Sequence, residues 1–267
     1  MPFKFDDCYI SFLNLDHRTD RLEHMGRELA KVGISAERTR GKLPKEFDLT
    51  NSKFQVMKNR TPGAIPCWEG QVEIMKEGLR QNKNTIVFED DLLFCSDWPD
   101  RISYIENWLN THEWDVFWLS GTFSVNPPYW HTGNNPELPG SYLGKDAECT
   151  DDPHIMRTFG CFCTFAYILN VRSIPTILSM LDEIQYMAMG IDFAFIKLST
   201  QMKQFSYVPG CIIQIDNLSD IGQGVTKFSN FLKLNGTLEN SAYVFQDKLT
   251  DFDPTTFEWA ECKIAKP

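Results

Sequence analysis

No apolar run in this 267-residue chain is long enough to cross a bilayer. The first ten residues, MPFKFDDCYI, are acidic where a secretory leader carries basic residues and then an apolar stretch. The expectation is a cytoplasmic protein with no membrane span. Basic residues are in deficit: 26 Lys and Arg stand against 36 Asp and Glu, a formal net charge of −10. That excludes the basic footprint of a nucleic-acid-binding surface but leaves room for an anionic small ligand held by a few local arginines. A cysteine framework is also missing. Eight cysteines are scattered without regular spacing, which reads as reduced thiols. The one close pair, Cys161 and Cys163 with His154 upstream, is half of what a zinc site usually shows, and is read as two strand residues facing one side. Internal repeats and low-complexity segments are absent. So is a glycine-rich loop with a lysine near the first strand, which a nucleotidyltransferase would need for its triphosphate.

What remains is ordinary for a globular protein: 42% hydrophobic and 23% charged residues. Residues 8–15, CYISFLNL, are expected to form a first strand. A helix follows from Asp20, which is placed to cap it with Glu23 three residues on, and Leu22, Met25, Leu29 and Val32 form its apolar stripe up to Gly33. ISAERTR is a second strand and 41–60 a polar loop. Ile65, Trp68, Val72, Met75 and Leu79 share one face of a second helix, from about Pro66 to Leu79. TIVF, a weak helix over Trp98 to Leu109 and WDVFWLSG complete a β-α-β-α-β-α-β rhythm, which argues for a largely parallel sheet with flanking helices. Residues 122–153 are rich in Pro, Gly and Asn and form a functional or mobile loop, with Trp130 and Tyr142 available to stack on a sugar or to anchor the loop. TFGCFCTFAYIL is read as a strand, IPTILSMLDEI and IDFAFIKLSTQM as helices, FSYVPGCIIQI as a last strand, and DNLSDIGQG as a polar loop.

The stretch NTIVFEDDLLF poses the chemical question. Three consecutive acids, Glu89, Asp90 and Asp91, end a buried strand, where they repel one another unless something cationic sits on them. Ligands of open α/β sheets bind at the carboxyl ends of strands. A hard divalent cation takes one or two carboxylates and completes its shell with water and phosphate, so a metal-bound diphosphate is one resolution. A solvated acidic turn is the other. Asn14, Asp16, Arg18 and Arg21 follow the first strand, another carboxyl end beside a helix amino terminus suited to an anion. A strand-to-helix turn with solvated charges fits those residues equally well.

LNLDHRTDRLEHM, TPGAIPCWEGQVEIMKEGL and NTIVFEDDLLF, followed in order by WDVFWLSG, TFAYILN, GIDFAFI and VPGCIIQIDNLSDIG, resemble glycosyltransferase family 25, the lipopolysaccharide-biosynthesis and procollagen galactosyltransferase group. The resemblance covers roughly residues 8–224 and lies in the ordered set rather than in any one piece. One departure is plain. Where the family commonly has Ser-His, this chain has Glu69-Gly70.

The resemblance implies an α/β chain of the GT-A fold, with a Rossmann-like nucleotide half fused to a mixed-sheet acceptor half. Residues 1–226 then form the glycosyltransferase domain and 227–267 an extension. It implies Mn²⁺ or Mg²⁺ and a nucleotide-sugar donor, UDP-hexose in the first instance. The acceptor is a hydroxyl of a glycan or protein, reached by inverting displacement. Asp91 is expected to touch the metal, with Glu89 or Asp90 reached through water. Asn14, Asp16, Arg18 and Arg21 lie at the nucleotide, and Asp220 on the metal or phosphate side. Asp192, after Gly190 at a helix start, is either an N-cap or the general base that deprotonates the acceptor. The alternative is a non-catalytic relative that binds a nucleotide sugar or glycan, which the missing histidine favours and the retained acids oppose.

Overall fold

The computed structural model describes residues 2–48, 63–95, 97–120, 147–159, 161, 163–184, 190–207, 210–215, 217–220 and 224–226. The strands are β1 (Tyr9–Leu15), β2 (Glu37–Gly41), β3 (Thr85–Phe88), β4 (Leu92–Phe94), β5 (Val116–Trp118), β6 (Ala147–Cys149), β7 (Ile155–Thr158), β8 (Ala166–Leu169), β9 (Gln204–Tyr207), β10 (Ile212–Gln214), β11 (Asn217–Ser219) and β12 (Gly224–Thr226). The helices are α1 (Thr19–Val32), α2 (Ala64–Arg80), α3 (Trp98–Thr111), α4 (Ile174–Ile184) and α5 (Ile191–Leu198).

Eight strands make one sheet in the order β2-β1-β3-β8-β5-β9-β7-β6, while β4 pairs with β10 and β11 with β12 in two small ribbons. Side chains alternate across the sheet because the strand period is two. Ile86, Phe88, Phe117 and Ile168 enter one core with Met25 and Leu29 of α1 and Ile105 and Trp108 of α3. Val87, Val116, Trp118, Tyr167 and Leu169 enter the other, with Ile65, Trp68 and Met75 of α2, Ile177 of α4 and Phe195 of α5. The result is a mixed α/β sheet with helices on both faces.

The sheet is not largely parallel. β1, β2 and β3 are parallel, as are β5 and β9, but β8 runs antiparallel between β3 and β5, and β7 runs antiparallel to β9. Among the described residues the apolar run 158–169 holds only the last residue of β7, Thr158, and the four residues of β8. Cys163 takes a left-handed backbone with φ 62°, which a strand cannot contain, so Cys161 and Cys163 are not strand partners. The run 205–215 is likewise two strands in two sheets, β9 and β10, and the stretch read as a polar loop after it carries the β11–β12 ribbon. Helix α1 starts at Thr19 with Arg18 at the capping position. Asp20 does not cap it, because its carboxylate accepts both arms of the Arg18 guanidinium at 2.9 and 2.8 Å. Gly33 ends the helix with φ 69°. Most of the 122–153 segment, Trp130, Tyr142 and the extension from 227 lie outside the described residues.

Helix α2 approaches β3 closely enough that a Cβ on Gly78 would lie 1.8 Å from Thr85 Oγ1. Gly78→Ala is expected to cost about 1–3 kcal/mol from overpacking. Gly26→Ala, on the exposed side of α1 with nothing within 4 Å, is expected to gain up to about 1 kcal/mol from helix propensity. Urea denaturation of both variants checks the pair, and equal stabilities would refute the close packing.

Candidate functional site

The sheet register brings the two acidic stretches together. Phe12 of β1 lies opposite Phe88 of β3 in a parallel pair, so the residues just past each strand are neighbours at one carboxyl end. Asn14 therefore reaches the acids, and its Nδ2 donates to Asp90 Oδ2 at 2.7 Å. Arg38 of β2 fixes the other end of that amide, with Nε on Asn14 Oδ1 at 2.9 Å. Arg21 in the first turn of α1 places Nη1 2.7 Å from Asp90 Oδ1 and 3.3 Å from Asp91 Oδ2. Leu92 of β4 is opposite Gln214 of β10, which carries Gln214 to the acids from the far end of the chain. Its Nε2 donates to Glu89 Oε2 at 2.9 Å and to Asp91 Oδ1 at 3.1 Å.

Glu89 points toward α2. Gln71, wholly buried on that helix, donates to Glu89 Oε1 at 3.3 Å and to Thr164 Oγ1 at 3.1 Å, and accepts from the Tyr167 hydroxyl at 2.7 Å. Burial, then the charges of Asp91 and Asp90, push the Glu89 carboxyl up to about 8, with Arg21 opposing them. Asp192 lies close enough to add to that shift. Its own carboxyl is raised by burial, against backbone hydrogen bonds from Phe193 and Cys163. The left-handed turn at Cys163 thus helps to cradle Asp192. Gly190, not Asp192, occupies the capping position of α5. The Cys67 thiol is pushed up by burial, then by Glu89 and Asp192.

A cleft of about 110 Å³ opens above this cluster. Its lining includes Leu13, Leu15, Leu43 and Pro44 as an apolar wall, and Arg21, Lys42, the three acids and Asp220 as a charged one. Asp16 and Arg18 are not among its lining residues. Asp16 is turned outward, paired with Arg38 and Arg40 at 2.6 Å each. Arg18 joins Asp20 to Asp220, and His17 stands 3.5 Å from Asp220, so the turn after β1 is tied to the end of β11. Six of the expected residues therefore line the cleft, Asp192 lies beside the cluster, and Asp16 and Arg18 form its rim.

The residues do not fit a protein-held divalent cation as the resemblance implied. Every carboxylate oxygen of Glu89, Asp90 and Asp91 has a guanidinium or amide nitrogen within 3.3 Å. Among the described residues, no group of three His, Cys, Asp or Glu side chains is placed to hold a metal ion. At the cluster, Gln214 Oε1 accepts no hydrogen bond among the described residues, so an ion seated there would have to take its carboxylate oxygens from Arg21, Asn14 or Gln214. The missing histidine has a packing reason: a Cβ on Gly70 would lie 2.5 Å from Leu13 Cδ1, so Leu13 fills that space.

The raised Glu89 carboxyl gives a pH prediction. Its ordinary value is 4.5 and its folded value about 8, so the folded state binds the extra proton between those values. That contribution to stability is complete below about 4.5 and is lost as pH rises through about 8. Glu89→Gln removes the slope. Urea denaturation at pH 5, 6.5 and 8 is expected to show the variant gaining on the wild type as pH rises, and parallel curves would refute a protonated Glu89.

No protein-family model matches the chain, and no curated protein matches it. Similar solved structures include the apo form of glycosyltransferase GlyE of Streptococcus pneumoniae TIGR4, at 8% identity and TM-score 0.38 over 86% of this chain. Another is the inositol-1-phosphate CTP transferase of T. maritima, at 10% identity and TM-score 0.30 over 74% of this chain. The match spans 60% of the GlyE chain and 69% of the other. No helix among the described residues is long and apolar enough to cross a membrane.

Proposed function

We propose that this chain is a glycosyltransferase of the GT-A type, moving a hexose from a UDP-linked donor to a hydroxyl of a glycan or protein. The observation that carries the reading is the meeting of Asn14, Arg21, Glu89, Asp90, Asp91 and Gln214 at the carboxyl ends of β1 and β3, with Asp192 beside them. The apolar wall of Leu13, Leu15, Leu43 and Pro44 suits a nucleobase, and the charged wall faces the diphosphate and sugar.

In the reaction the acceptor oxygen forms a bond to the anomeric carbon as the bond from that carbon to the phosphate oxygen breaks. The acceptor proton passes to Asp192, and UDP leaves with the bonding electrons. Burial raises the Asp192 carboxyl, which strengthens it as a base while it is ionised. The backbone N–H groups of Phe193 and Cys163 hold its orientation.

A thermal-shift panel of nucleotide sugars, followed by detection of free UDP, tests the reading. A ligand of the folded form adds about 2.7 kcal/mol at a hundredfold excess over its Kd. No shift with any nucleotide sugar would sink the proposal. A shift with no UDP release, alone or with hydroxyl acceptors, would favour the binding-only relative, for which Gly70 in place of a histidine is the supporting observation.

A further inference from the structure

We propose that Arg21 is the resident cation of the acid cluster, and that the cleft takes its nucleoside diphosphate without a divalent metal. The inference rests on the nucleotide-sugar reading for its ligand, and on the hydrogen-bond geometry for its cation.

A metal at a strand-end acid pair does two things. It relieves the repulsion between carboxylates, and it offers positive charge to phosphate oxygens. Arg21 already does the first. One guanidinium nitrogen lies 2.7 Å from Asp90 and 3.3 Å from Asp91, and the guanidinium and both carboxylates are nearly buried. Asn14 and Gln214 take the remaining oxygen of each aspartate. An incoming ion would have to displace a buried guanidinium from two carboxylates whose other oxygens are already held by Asn14 and Gln214. Arg21 is also placed for the second task, because it lines the same cleft as Lys42. A guanidinium is always charged and presents a planar fork of donors suited to phosphate oxygens, so one side chain can serve the acids and face a diphosphate.

The rest of the rim is built the same way. Arg38 and Arg40 neutralise Asp16, and Arg18 joins Asp20 to Asp220. Asp16, Asp20, Asp90, Asp91 and Asp220 each contact an arginine of the chain itself, with Arg18 and Arg21 each serving two of them.

Two measurements on the full chain test the inference. The first is calorimetric titration of Mn²⁺ alone into the wild type, Asp91→Asn and Arg21→Gln. The wild type is expected to show no Mn²⁺ site, and Arg21→Gln to bind Mn²⁺ at least about tenfold more tightly once the two aspartates are uncovered. Wild-type Mn²⁺ binding that disappears in Asp91→Asn would overturn the proposal, whatever Arg21→Gln does. The second is UDP affinity in EDTA and in excess Mn²⁺. The two values are expected to agree within about threefold, and Arg21→Gln to weaken binding in EDTA by at least about tenfold. Binding of UDP only in the presence of Mn²⁺ would overturn the inference and leave the glycosyltransferase reading standing. Failure to bind UDP under either condition would sink that reading, and the Mn²⁺ titration still decides the role of Arg21.

Discussion

Asp192→Asn is expected to lower the transfer rate by about 10² to 10⁴ while leaving donor affinity and stability near wild type. That corresponds to about 3–5 kcal/mol of transition-state stabilisation. The forecast separates chemistry from binding, because Asp192 stands beside the donor cluster and makes no hydrogen bond to Asn14, Arg21 or Gln214 among those found in the described residues. Asparagine has the same shape and keeps one carbonyl oxygen for the N–H groups of Phe193 and Cys163, so the turn at Cys163 should survive the change. It cannot accept the acceptor's proton. Gly190 already occupies the capping position of α5, so capping adds no confounding stability term. Three measurements are needed together: UDP-sugar affinity, unfolding free energy and transfer rate. Turnover within about threefold of wild type would remove Asp192 from the chemistry. A joint loss of affinity and stability would make it a structural carboxylate of the Cys163 turn.

The strongly periodic elements were legible in the sequence. α1 and α2 appear within a few residues of expectation because their apolar positions repeat at three and four, and the short apolar runs of β1 and β3, bounded by polar residues, also appear where expected, as does α5. Continuous apolar runs misled. TFGCFCTFAYIL and FSYVPGCIIQI each look like one long buried strand, and periodicity cannot show that a left-handed residue at Cys163 or a change of sheet between Tyr207 and Ile212 breaks the run. The antiparallel course of β8 was equally hidden, since strand direction depends on what the strand pairs with.

The site divides along the same line. The acids and Arg21 could be named because they cluster in sequence next to strand ends. Gln71, Gln214 and Arg38 could not, because their partners lie 18, 123 and 24 residues away. A faint signal existed for two of them. Gln71 interrupts the apolar face of α2 between Trp68 and Ile74, and Gln214 interrupts the apolar run of β10. A polar side chain at a core position implies a buried partner. Asp16 and Arg18 read like Arg21 in the sequence, yet only Arg21 points inward. The helical turn decides this, as Arg21 falls on the face that packs over the acids.

Asp90→Ala is expected to destabilise the fold by about 3–5 kcal/mol, the cost of stranding a buried charge. The Asp90 and Arg21 side chains are only 8% and 11% exposed, so water cannot readily replace the lost carboxylate. The substitution also takes a partner from Asn14, which is 1% exposed and would keep only the Arg18 carbonyl for its Nδ2 group. Asp91, 3.3 Å from the same guanidinium, offsets part of the loss and sets the lower end of the range. Removing both partners should be gentler than removing one. In Asp90→Ala with Arg21→Met no cation is left stranded, and Asp91 keeps its hydrogen bond from Gln214. The double variant is therefore expected to lose less than the sum of the single losses, by at least about 1 kcal/mol of coupling. Urea denaturation of the wild type, both single variants and the double variant closes the cycle. A loss below about 1 kcal/mol for Asp90→Ala, the scale of exposed ion pairs, would mean that solvent screens the pair and that the acids do not depend on Arg21.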